Sequence, residues 1–87
     1  MGSYQIEWDP AAKREFRSLP RQLQSRIVSK INALAANPRP SGIRKLSGEE
    51  DAYRLRVGDY RVVYRLLDRQ VLIIIVRVRH RREAYRA

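Results

Sequence analysis

The chain has 87 residues, with 19 Lys or Arg against nine Asp or Glu, a formal charge of +10. That length holds one domain, residues 1–87, around one modest core. With no cysteine, one histidine and no paired carboxylates, a disulfide framework and a thiolate metal site are excluded, and neither a catalytic metal nor a cofactor is expected.

Residues 4–8, Tyr-Gln-Ile-Glu-Trp, alternate in polarity and predict a first strand, with Trp8 packing at its end. Asp9-Pro10 is a helix-start signal: an N-cap type followed by proline at the first helical position. A short helix follows, with Ala12, Phe16 and Leu19 on one side. Ser18-Leu19-Pro20 repeats the start signal. Leu23, Ile27, Ile31, Leu34 and Ala35 then recur at helical spacing up to Asn37-Pro38, where the residue before proline leaves the helical region. Lys13, Arg14, Arg17, Arg21, Arg26 and Lys30 read as solvated outer faces.

Arg39-Pro40-Ser41-Gly42 predicts a loop, residues 43–46 a short extended piece, and residues 47–51 a second loop. Three strands should follow, Ala52–Val57, Tyr60–Leu67 and 70–78, with a turn at Asp68-Arg69. The last is apolar on both faces between Val71 and Val76, so it should be internal to its sheet. That run is far too short to cross a membrane. The N-terminus lacks a signal-peptide pattern, so a cytoplasmic protein without membrane association is expected. The expected fold is α+β. Two N-terminal helices cover one face of a small, mostly antiparallel sheet of about four strands, with a short C-terminal tail or helical turn.

Residues 53–64 carry the most information. Tyr53, Leu55 and Val57 alternate with Arg54 and Arg56, and Gly58-Asp59 is a two-residue hairpin signal. With that loop, 57 pairs with 60, 56 with 61 and 54 with 63. One face then holds Tyr53, Leu55, Val57, Tyr60, Val62 and Tyr64. The other holds Arg54, Arg56, Arg61 and Arg65 around Val63. Like charges directly opposite destabilise a sheet, and a domain this small has little stability in reserve. A polyanion resting on that face accounts for it most simply. Residues 51–87 contain ten Arg, no Lys and four acids, a balance of +6. Arginine's planar donor fork matches phosphate better than lysine's ammonium does. The charge therefore points first to nucleic acid and second to an acidic protein.

Lys45-Leu46-Ser47-Gly48, the hairpin with its Tyr-Arg-x-x-Tyr, the apolar strand, and the tail from Val78 through Arg81 to Tyr85 together resemble the RelE/ParE superfamily of bacterial toxins, along essentially the whole chain. They resemble the RelE-like branch most. That resemblance implies the toxin of a type II toxin–antitoxin system: a ribosome-dependent, metal-independent mRNA endonuclease working in the 70S ribosome A site. A cognate RelB-like antitoxin would wrap it in a hetero-oligomer. The family roles fall on Arg56, Arg61, Arg81 and Tyr85 for catalysis, and on Arg54, Lys45 and His80 for substrate binding. Two alternatives stand beside this: a ParE-like DNA gyrase inhibitor, and a non-catalytic basic module binding RNA or an acidic peptide.

In such a site the substrate's own 2′-hydroxyl attacks the adjacent phosphorus and the 5′-oxygen leaves. Guanidinium groups stabilise the charge that builds on the non-bridging oxygens. Arg54 and Arg56 replace a lysine pair of the best-known RelE pattern. Arginine keeps its proton, so the general-base role does not transfer to Arg56. Tyr85, with its pKa lowered by surrounding arginines, or His80 can handle protons. Tyr85 can alternatively stack on an unpaired base.

Overall fold

The computed structural model describes residues 3–46, 48 and 51–81. Its elements in chain order are β1 (Gln5–Trp8), α1 (Pro10–Arg17), α2 (Arg21–Ala36), β2 (Arg44–Lys45), β3 (Ala52–Val57), β4 (Tyr60–Leu67) and β5 (Leu72–His80). The strands form one sheet in the order β1-β5-β4-β3-β2. β1 runs parallel to β5, and every other pairing is antiparallel. The apolar β5 is indeed internal. The strand count rises from about four to five because residues 44–45 pair with 54 and 53 along the β3 edge.

The core lies on one face. Ile27, Ile31 and Leu34 of α2 and Ala12 of α1 meet Leu55, Val57, Val62, Tyr64, Leu66, Ile73, Ile75 and Val78 of the sheet. The spacing 27, 31, 34 is the buried stripe that the sequence periodicity gives. α1 begins at the proline, but Asp9 makes no side-chain cap bond. The two helices are joined instead through Gln24, whose Nε2 donates to the carbonyls of Phe16 (3.0 Å) and Leu19 (3.1 Å). Trp8 packs edge-on against Phe16, with ring centroids 5.1 Å apart. Tyr64 is fully buried. Its hydroxyl donates to the Pro38 carbonyl at 2.8 Å, and burial pushes its pKa up to about 12.

The turn before β5 is a 3-10 turn at Asp68–Gln70, after which Val71 sits at φ 51. A β-branched residue in the left-handed region is strained by on the order of 1–2 kcal/mol. The turn is clamped from outside. Asp68 accepts from Arg39 at 2.7 Å and from the Tyr4 hydroxyl at 2.7 Å, and these two bonds hold its carboxyl below the usual range. Among the described residues, no helix is long and apolar enough to cross a membrane.

One irregularity decides where the charges go. The β4–β5 register pairs Val63 with Arg77 but Tyr64 with Ile75, so Val76 is an extra residue. Such a bulge reverses the alternation beyond it. Before it, Ile73 and Ile75 face the core; after it, Val78 does. Without the bulge, Arg77 and Arg79 would point into the core.

Candidate nucleic-acid interface

The hairpin forms as the sequence dictates. Gly58 adopts φ +60 at the first loop position, the requirement of a II′ turn whose twist matches the flanking strands. Val57 pairs with Tyr60, Arg56 with Arg61 and Arg54 with Val63. β5 extends the pattern, placing Arg79 opposite Arg61 and Arg77 opposite Val63. β2 adds Arg44 opposite Arg54. The face away from the helices thus carries one row of Arg56, Arg61 and Arg79 on three adjacent strands. A second row holds Arg44, Arg54 and Arg77 around Val63. Opposite side chains in such a sheet start about 5 Å apart.

Arg61, in the centre of the first row, is only 7% exposed; among the described residues it is the buried charged side chain. Confining a guanidinium this way costs desolvation free energy, several kcal/mol before compensation. Arg56 is held through its Nε, which donates to the Gly58 carbonyl at 3.2 Å. Arg77 and Arg79 converge on Glu15 of α1. Glu15 Oε2 accepts from Arg79 Nε at 2.9 Å and Arg77 Nη1 at 3.3 Å, and Oε1 accepts the Val78 backbone N–H at 2.8 Å. One carboxylate therefore caps the β5 edge past the end of β1 and orients two arginines. Arg65 is bound to Asp51 at 2.8 Å, and that pairing holds the Asp51 carboxyl below its ordinary value.

The sequence-predicted site residues divide by position. Arg54, Arg56 and Arg61 share the open face. Arg81 follows β5 at the hairpin, its backbone N–H donating to the Asp59 carbonyl at 2.7 Å, so the tail starts beside Arg56 and Arg61. His80 pairs with Tyr60 and meets its ring edge-on at 5.3 Å, on the helix-side face rather than with the arginine rows. Lys45 pairs with Tyr53, on the side of β2 opposite to Arg44. Tyr85 lies outside the described residues.

A cleft of about 770 Å³ opens where β2 ends and the β3 edge is left uncovered. Its charged lining is Arg26 and Lys30 from α2, and Arg44, Arg54, Arg56 and Arg61 from the sheet. Among the described residues no Asp or Glu lines it. Sequence reasoning missed Arg26, Lys30, Arg44, Arg77 and Arg79. Arg44 was adjacent to a residue singled out. The two helix cations were indistinguishable from solvated ones until the loop's position was known.

With three strands presenting guanidinium groups on one face, the arrangement can bind phosphate oxygens bidentately and stabilise charge developing on them. Comparison with known proteins agrees in kind. Residues 6–85 match the family described as ParE toxin of type II toxin–antitoxin system, parDE. The mRNA interferase toxin RelE of Escherichia coli K12 is 31% identical over 87 residues, covering 95% of this chain and 90% of that protein. The archaeal RelE–RelB complex from Pyrococcus horikoshii contains a chain that superposes with a TM-score of 0.82 at 28% identity, covering 91% of this chain and 96% of that one. The intact E. coli RelBE toxin–antitoxin complex gives 0.80 at 26% identity, covering 90% and 96%. The chain belongs to the RelE/ParE superfamily of type II toxin–antitoxin toxins, and its relatives make it a RelE-like member.

Proposed function

We propose that the chain is a ribosome-dependent mRNA endonuclease that needs no metal, and that a RelB-like antitoxin neutralises it in the cytoplasm. The observation that carries this reading is the row Arg56, Arg61, Arg79 with its central member buried. The relative named mRNA interferase and the neighbours solved with RelB support it.

In this reading the phosphate of the scissile linkage rests on the Arg56–Arg61 pair, with Arg54 gripping the strand beside it. The 2′-oxygen attacks phosphorus, the P–O5′ bond breaks, and the products are a 2′,3′-cyclic phosphate and a 5′-hydroxyl. The guanidinium groups stabilise the charge on the non-bridging oxygens, which is where preset donors contribute most. Arg81, tethered at the hairpin through its backbone, stabilises the leaving oxygen, which takes its proton from solvent. The arginines retain their protons, so the proton leaves the 2′-hydroxyl by another route. Tyr85 is the group assigned to it, and the ribosome supplies the alignment of the strand. His80, on the helix-side face, positions the start of the tail against Tyr60 rather than serving as acid or base.

Induced expression followed by primer extension on a translated transcript tests this. Cuts in register with codons, lost when the start codon is removed, are expected. Arg56→Ala should lower cleavage about 10²–10³-fold without changing the fold, since Arg56 is exposed. Full cleavage by Arg56→Ala, or cuts independent of translation, would reject the reading.

The family match favours one second reading, since it is described as a ParE toxin: inhibition of DNA gyrase on the same scaffold. It predicts blocked supercoiling with transcripts left intact.

A further inference from the structure

The cleft between α2 and the uncovered β3 edge shares Arg44, Arg54, Arg56 and Arg61 with the arginine rows and adds Arg26 and Lys30 from α2. Arg26 belongs to α2, on the helix side, yet its guanidinium reaches the hairpin. A Cβ placed on Gly58 would lie 3.5 Å from Arg26 Nη1. Arg56 holds the same glycine through its carbonyl. Gly58 thus separates two guanidinium groups, one from each face of the sheet. Lys30 follows one helical turn after Arg26, on the same side of α2. Arg44, the first residue of β2, lines the same cleft.

The backbone contributes too. Ala52 directs its carbonyl outward to Leu46. Groups facing that edge recur every second residue, so the N–H of Arg56 faces the cleft beyond the end of β2. A sheet edge of this kind is a row of donors and acceptors awaiting a partner.

We propose that Arg26, Lys30 and Arg44 form a second phosphate subsite, which grips the single-stranded RNA at a linkage flanking the one over Arg56 and Arg61. This rests on the cleavage reading above. The occupant is nucleic acid rather than an acidic peptide because the cleft shares Arg54, Arg56 and Arg61 with the open face. One continuous phosphate backbone can therefore bend around the hairpin and satisfy both sides. Five of the six cations are arginines, the side chain suited to phosphate forks. The subsite would set which way the strand runs across the sheet and hold it while the scissile linkage is aligned.

The test uses the full chain and 2′-O-methyl RNA, which lacks the attacking hydroxyl and stays uncut. A labelled decamer reports on both subsites, and a dinucleotide with one phosphodiester reports on the Arg56–Arg61 pair. For the exposed double variant Arg26→Gln, Lys30→Gln, decamer affinity at low salt should fall about tenfold. The slope of log affinity against log salt should shrink by about 0.7, the value for one phosphate contact on a single strand. Dinucleotide binding, followed by NMR titration, should not change. The charge-conserving variant Arg26→Lys, Lys30→Arg should keep the slope.

An unchanged decamer slope in the Gln variant overturns the proposal. So does an equal loss for the dinucleotide, or a loss confined to a Glu-rich peptide with RNA unaffected. A wild-type chain that fails to bind the dinucleotide would reject the cleavage reading instead, while the decamer still decides the cleft.

Discussion

The two faces of the sheet are built from the same strands and differ by one residue of offset. On one, Val57, Val62, Tyr64, Ile73 and Ile75 are almost entirely removed from water. On the other, Arg44, Arg54, Arg56, Arg61, Arg77 and Arg79 occupy adjoining positions. The first face provides the apolar burial that drives folding. The second works against folding, because like charges oppose one another across neighbouring strands. A scaffold with a strong core on one side can tolerate a repulsive surface on the other, and that surface binds anions best where repulsion has been built in beforehand. Stability and activity are thus assigned to alternate residues of the same segments.

The sharpest way to break this division is to remove the residue that maintains it on β5. Deleting Val76 abolishes the bulge. It would either turn Arg77 and Arg79 into the core and Val78 out of it, or slip the strand against β1. Either outcome exceeds the reserve of a marginally stable domain, so circular dichroism should show an unfolded chain. A Val76 deletion that folds with native stability would mean that the bulge does not set the faces.

A smaller effect is expected at Glu15, which joins the two halves of the division. Its carboxylate binds Arg77, Arg79 and the Val78 N–H at once. Glu15→Gln keeps the shape and removes the charge. Stability should fall by about 1.5–3 kcal/mol, as for a hydrogen bond to a charged group. Affinity for polyanions should rise, because two arginines lose their competing carboxylate. Chemical denaturation and an RNA titration measure the two effects separately, and a fall in both would contradict the account.

The mildest effect concerns acid. Hydrogen bonds from Arg39 and then Tyr4 lower the Asp68 carboxyl, and one from Arg65 lowers that of Asp51. A group whose pKa is lower in the folded state stabilises the fold above its unfolded value, here 3.8. That contribution is lost as pH falls through the folded value. Thermal midpoints should therefore be flat near neutrality and drop below about pH 4. Both carboxylates are solvent-facing, so the drop is shallow. Asp68→Asn should lower the neutral plateau slightly and flatten the acid limb.

Much of the division was legible in the sequence. The hairpin register follows from Gly58-Asp59 flanked by alternating residues, and it placed Arg54, Arg56 and Arg61 on the coreless face. The unbroken run from Val71 to Val76 marked an internal strand. That same run hid the bulge. Six consecutive apolar residues carry no period, so nothing in them shows where the alternation slips. Arg77 and Arg79 consequently had no readable face. The 3-10 turn with Val71 at positive φ was equally hidden, because a valine there contradicts local preference and is held by Asp68, Arg39 and Tyr4, which come from three distant parts of the chain. Arg26 and Lys30 read as solvated because a helix face shows its spacing but not its neighbours. Only the path of residues 41–44 makes them the wall of a cleft.

The central claim is that a phosphodiester docks over the Arg56–Arg61 pair. Arginine side-chain Nε–H resonances of the full chain, followed while the 2′-O-methyl dinucleotide is added, test it directly. The account predicts saturable shifts at Arg56 and Arg61, with Arg39 and Arg65 unmoved in their carboxylate pairs. Shifts confined to Arg39 and Arg65, or none at Arg61, would contradict it.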